Sequence, residues 1–120
     1  MQSGVIIPSA ADRTVATVGA TITNRGAGSE LLVFVDITVD DESAAVTFLI
    51  DGLDPASGDW YNILTSAALA DVAKTILRVS THLTASANLI AKDIVPHTFR
   101  VRTTHNDTDE MTYSVGYSLS

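Results

Sequence analysis

Residues 98–119, TFRVRTTHNDTDEMTYSVGYSL, restrict the fold more than any other stretch, because they alternate strictly on both sides of a polar turn. Phe99, Val101 and Thr103 take one face of the first run, and Thr98, Arg100, Arg102 and Thr104 take the other. In the second run Met111, Tyr113, Val115, Tyr117 and Leu119 alternate with Thr112, Ser114, Gly116, Ser118 and Ser120. A side-chain period of two describes strands with one buried and one solvated face. His105-Asn106-Asp107-Thr108-Asp109 between them is short and rich in residues that bond their own backbone, which predicts an antiparallel hairpin. A hairpin apolar on one side is marginal alone and must lay that side on another layer.

The rest of the chain supplies the layer. Residues 14–23 are rich in Val, Ile and Thr and read as a strand, followed by turn chemistry in residues 24–29. Residues 30–39 alternate clearly, with Leu31, Val33, Val35, Ile37 and Val39 on one face. The opposite face begins apolar, at Leu32 and Phe34, and turns polar at Asp36 and Thr38. Part of this strand is therefore expected to be covered on both sides. Residues 45–51 point Val46, Phe48 and Ile50 inward and Thr47 and Asp51 outward. Asp54-Pro55-Ala56-Ser57-Gly58 is a β-turn sequence, and residues 60–64 leave it as a strand, making a hairpin with the one tryptophan at its tip. Residues 65–73 are Ala-rich and predict a helical turn too short to stand alone. Residues 74–81 read as a strand and 83–91 as a loop with one helical turn. Pro96 falls at a strand start, where its missing N–H costs least.

Seven short strands, little helix and no internal repeat predict an all-β antiparallel sandwich. The long connections near 65–73 and 83–95 let the chain cross between sheets, which favours a jelly-roll-like order, with an immunoglobulin-like order as the alternative. The expected organisation is an N-terminal arm, 1–13, and a single sandwich domain, 14–120. Within the arm Val5-Ile6-Ile7 is closed by Pro8; it is either a frayed terminus or a strand that docks on a neighbouring subunit.

Charge narrows the partners. Seven Lys and Arg against fourteen Asp and Glu give −7, a surface that repels phosphate backbones, so no nucleic acid partner is expected. No membrane partner is expected either, since no apolar run approaches the ~20 residues of a spanning helix. The N-terminus lacks the basic start and apolar stretch of a secretory signal. Absence of cysteine excludes disulfides and thiolate metal sites, and fits assembly in a reducing cytoplasm. Charged residues are 18% of the chain, below the roughly 25% of ordinary domains. A sparsely charged β surface invites association through edges and apolar patches.

Catalytic chemistry is not evident. His82, His97 and His105 fall at loops or strand ends, and there is no GxSxG, HExxH or phosphate-cradling glycine loop. The chain is expected not to be an enzyme and to need no cofactor. Asp36, Asp40, Asp41 and Glu42, and again Asp107, Asp109 and Glu110, cluster carboxylates without the spacing of an EF-hand, so solvated turns explain them and no metal site is expected. The remaining candidates are contacts to other proteins: Val5, Ile6 and Ile7, then Leu32 and Phe34, and the aromatics Trp60 and Tyr61. Arg100 and Arg102, on the wet face of their strand, suit equally an acidic partner or a simply solvated strand face. Trp60 and Tyr61 suit equally a sugar-stacking platform or ordinary core packing.

The order GLDPASGDWY (52–61), LTSAAL (64–69), LTASAN (83–88), DIVPHTFRVRTTH (93–105) and TYSVGYSL (112–119) resembles small virion proteins of tailed bacteriophages. Those share a DP-SG-YY hairpin, an L-T-A-A-N loop, a V-L-P-x-T-W-R-V strand and a terminal Y-S-V-G strand. The resemblance runs from about residue 30 onward; Phe99 stands where the family pattern often has Trp. It implies a non-enzymatic virion component. The expectation is a capsid decoration (cement) protein on the capsid exterior, bound to the major capsid protein as a homo-oligomer, trimer or dimer. A tail or baseplate component and a carbohydrate-binding host-attachment module are the alternatives.

Overall fold

A computed structural model describes residues 1–26, 28–40, 44–106 and 109–120, with the side chains of residues 11 and 12 left out of the description. Asp41, Glu42 and Asp107, named above in the acidic turns, lie outside the described residues. Nine strands are described: β1 (Gln2–Arg13), β2 (Ile22–Thr23), β3 (Glu30–Val39), β4 (Val46–Leu53), β5 (Trp60–Thr65), β6 (Ala73–Ser80), β7 (Ile90–Ala91), β8 (Thr98–His105) and β9 (Met111–Leu119). They form two sheets. Sheet A has the order β1-β9-β3-β6-β7, and sheet B the order β2-β8-β4-β5.

The pairing is nested. β4 pairs with β5, β3 with β6, β2 with β8 and β1 with β9, every pair antiparallel. The chain thus forms a long two-stranded ribbon whose closed end is the β4–β5 hairpin, and the ribbon is wound so that successive pairs fall in alternate sheets. That is the jelly-roll order, and it excludes the immunoglobulin-like alternative. The two-residue β7, parallel to β6, is the one addition to it among the described strands.

The winding corrects the reading of residues 98–119. β8 and β9 do not pair as a hairpin; they lie in opposite sheets and face one another across the core. Each has both edges taken, β8 between β2 and β4, and β9 between β1 and β3. Alternation places the apolar side correctly in either geometry, so it cannot separate two strands side by side from two strands face to face. The buried set is the same: Phe99, Val101 and Thr103 against Met111, Tyr113, Val115, Tyr117 and Leu119. Two edge-to-face aromatic pairs cross between the sheets, Phe48 with Tyr113 (5.2 Å, 85°) and Phe99 with Tyr117 (5.8 Å, 81°). Each such pair adds about 1 kcal/mol to its burial.

The first thirteen residues depart from the expected arm. β1 is an edge strand of this chain's own sheet A, in register from Gln2 opposite Leu119 to Arg13 opposite Met111. The register slips between Val5 and Ile7, so both Ile6 and Ile7 turn into the core while Val5 stays outside. A bulge does this by inserting one residue out of alternation. Pro8 is tolerated because β1 is an edge strand of the sheet and Pro8 falls in the irregular stretch between the Ile7–Val115 and Ala10–Tyr113 pairs.

Residues 14–23 are a strand only at their end. Gly19 N–H donates to the Val101 carbonyl (2.8 Å) in sheet B, and Ala20 N–H to that of Ile6 (3.0 Å) in sheet A, so the segment bridges the sheets. A Cβ on Gly19 would stand 2.6 Å from Ile6 Cγ2 and 2.9 Å from the Val101 carbonyl oxygen, which is why only glycine fits. The helical turn expected over 65–73 is also absent. Ser66 and Leu69 bond back to Phe48 and Val46 and continue alongside β4 instead. The loop before β7 does close one turn, with Asn88 at φ 65°.

Candidate functional site

The two outer faces of the sandwich hold the predicted contact residues, and they are built differently. On sheet B, β4 sends Asp51 outward and β8 sends Arg100 and Arg102 outward. The register sets Asp51 opposite Arg100 on one side and Asn62 of β5 on the other. The Nε–H groups of Arg102 (2.6 Å) and Arg100 (3.2 Å) both donate to Asp51 Oδ2, and Asn62 Nδ2 donates to Oδ1 at 3.3 Å. Asp51 is only 2% exposed. A carboxylate so buried would cost several kcal/mol unpaired, so the arginines are first of all its neutralising partners. The Arg100 guanidinium also lies over the Trp60 ring, 4.3 Å from its centroid.

Sequence reasoning named Trp60, Arg100 and Arg102, and the fold brings these three together. Asp51 and Asn62, which hold the cluster, were missed as site residues. The only signal would have been the β4–β8 and β4–β5 registers, and pairing between strands about fifty residues apart is not written locally. Trp60 and Tyr61 do not form one stacking platform. They are consecutive in a strand and point to opposite sides; Trp60 is half-buried beneath Arg100, and Tyr61 is exposed beside Ile94 and Pro96.

On sheet A a single cross-strand row runs through four strands: Val5 of β1, Gly116 of β9, Phe34 of β3 and Ile76 of β6. Val5 is 64% exposed, Phe34 40% and Ile76 39%. Leu32 lies on the same face, one outward position from Phe34, and is half-buried. β9 contributes only Thr112, Ser114, Gly116 and Ser118 to this face, so a trough of small residues runs along it. Between it and β6 lies a groove of about 400 Å³, lined by Phe34, Asp36, Lys74, Ile76, Ser114 and Gly116. Lys74 Nζ pairs with Asp36 Oδ2 at 3.3 Å, but Lys74 is largely exposed and the pair adds little. Val5, Leu32 and Phe34 were predicted as contacts and are gathered here; Ile6 and Ile7 are not available to any partner, being buried.

Among the described residues the titratable groups give no second site. His105 Nε2 lies 3.0 Å from Tyr113 Oη, which lies 3.1 Å from Thr103 Oγ1. Tyr113 and Thr103 are buried between the sheets, so this chain of hydrogen bonds ties sheet B to sheet A. His82 and His97 are exposed. Asp40 Oδ2 accepts from the Asp71 N–H at 2.8 Å, and among the described residues no group of three or more His, Cys, Asp or Glu is arranged to hold a metal.

No family model matches this chain, and no curated protein does. Among solved structures it is similar to a chain in the structure of infectious bursal disease virus Gt strain, 12% identical, with a TM-score of 0.47 over 98% of this chain and 33% of that one. It is similar likewise to a chain of the Gx strain, 9% identical, with a TM-score of 0.48 over 97% and 31%. The chain spans about a third of the length of either. The jelly-roll assignment rests on the strand register of this chain itself.

Proposed function

We propose that this chain is a structural component of a tailed-bacteriophage virion, a decoration protein that sits on the outer capsid surface and braces neighbouring copies of the major capsid protein. The observation that carries the reading is the apolar row Val5–Gly116–Phe34–Ile76, laid flat across sheet A with Leu32 beside it. A row across four strands with three apolar side chains facing water favours a covered state. The ordered motifs from residue 52 to 119 support the same reading.

Mechanistically, each copy would add a modest contact, and many copies on a closed shell add through multivalency. A cyclic trimer at a local three-fold axis would let each subunit bridge two capsomers. The test is quantitative mass spectrometry of purified virions, paired with re-binding of the recombinant chain to particles stripped of it. A copy number near three times the number of local three-fold axes, with re-binding lost in Phe34→Asp, is expected. A handful of copies per particle would overturn the decoration reading in favour of a tail or baseplate position.

A further inference from the structure

We propose that the outer face of sheet B is a carboxylate-binding site built on Arg100, Arg102 and Trp60, and that its occupant is a partner-protein segment presenting one Asp or Glu side chain among uncharged residues. Neutralising Asp51 needs one guanidinium. The structure supplies two, both through Nε and both onto the same oxygen, Oδ2. The cluster therefore carries a surplus of one positive charge, in a chain whose total is −7.

Among the described residues only the Nε edge of each guanidinium is engaged, while the side chains remain 21% and 33% exposed. Each keeps its paired Nη–H donors, the fork that matches a carboxylate. Asp51 fixes the near side of both, and Trp60 fixes the plane of Arg100, so little side-chain freedom is lost on binding. Trp60 and Leu49 give the same face an apolar floor for a segment's neighbouring residues. A single carboxylate matches the surplus charge. Phosphate groups would bring more negative charge to an already negative molecule, and nucleic acid far more.

The inference goes beyond the virion reading and does not depend on it, because it is tested on the isolated chain. The hydrogen-bonded Nε–H groups of Arg100 and Arg102 and the indole N–H of Trp60 are NMR reporters within the site. Titration with the peptide acetyl-Leu-Glu-Leu-amide should move these three signals saturably. Acetyl-Leu-Gln-Leu-amide and inorganic phosphate at equal ionic strength should leave them in place. Arg102→Gln should weaken the response to the Glu peptide by about tenfold, with Asp51 still held by Arg100. Arg78→Gln, on sheet A, should leave it unchanged. Absence of saturable shifts at about 10 mM peptide, an equal response to the Gln peptide, or a phosphate response matching the Glu peptide would each overturn the proposal. These wild-type comparisons decide the matter even if Arg102→Gln fails to fold.

Discussion

The two outer faces of this sandwich meet water in opposite ways. Sheet B turns a buried acid, two arginines, an asparagine and a tryptophan on one another, so the Asp51 carboxylate is satisfied within the chain while the Nη–H groups of the arginines stay open. Sheet A turns Val5, Phe34, Ile76 and Leu32 outward and separates them with small residues on β9. A buried acid satisfied by its own neighbours has its energetics in the folded monomer. A face of unpaired apolar side chains gains most when something covers it, at roughly 25 cal/mol per Å² of apolar surface removed from water. Mutation of Asp51 should therefore be read in stability, and mutations on the apolar row of sheet A in assembly.

The largest effect expected from this contrast is at Asp51. Asp51→Ala leaves Arg100 and Arg102 side by side with no counter-charge and removes one of the three acceptors of the Asn62 amide, the Ile50 and Leu64 carbonyls remaining. Breaking a fully buried pair costs about 3–5 kcal/mol. Because both arginines are partly solvated, about 2–3 kcal/mol is expected, read as a lower urea midpoint at unchanged slope. A loss below about 0.5 kcal/mol would place Asp51 among ordinary surface residues and erase the difference between the faces.

Phe34→Ser should do the reverse. The side chain is 40% exposed, its cross-strand neighbour Gly116 offers it no side-chain contact, and no polar group is left unpaired by its removal. About 1 kcal/mol of stability is expected to go. Concentration-dependent association of the isolated chain, followed by sedimentation, should fall with it. If association is unchanged while stability drops as far as in Asp51→Ala, Phe34 belongs to the core and the apolar row is not an open surface.

The contrast also explains what the sequence made legible. Alternation named the inward residues of β4, β8 and β9, and those of β3 as far as Ile37, because burial on one face of a strand is a local pattern. It assigned Phe34 and Leu32 to an outward apolar face for the same reason, and the jelly-roll order was favoured over the immunoglobulin-like one from the long connections. Pairing was not legible. Whether β8 lies beside β9 or across from it depends on β2 and β4, which bond the edges of β8 from far away in sequence. The bulge that turns Ile6 and Ile7 inward needs β9 as its template, so the triplet read as an arm. Asp51 alternates outward as expected, yet its burial under two arginines follows from the β4–β8 register alone. The apolar outer residues of β3 were thus visible before the fold was known, although that end was expected to be covered and Phe34 is 40% exposed, and sheet B's Asp51 cluster was not visible.

The smallest effect lies at the far end of sheet B, where the β4–β5 turn asks whether self-satisfaction extends to a fully exposed group. Asp54 accepts from the Ala56 N–H (2.9 Å) and the Ser57 hydroxyl (2.8 Å), and Gly58 closes the turn at φ 78°. The Ala56 N–H first, and the Ser57 hydroxyl next, hold the Asp54 carboxyl below its ordinary value of 3.8. The folded form thus favours the carboxylate, so its stabilisation is present above the unfolded value and lost as pH falls through the lower folded one. Asp54→Asn keeps an acceptor oxygen but cannot titrate. Its unfolding free energy should therefore fall less steeply than wild type as pH drops below about 4, with the two curves parallel near neutrality. Identical acid limbs would mean that water competes successfully for this turn, and that the closed polar design of sheet B stops at Trp60.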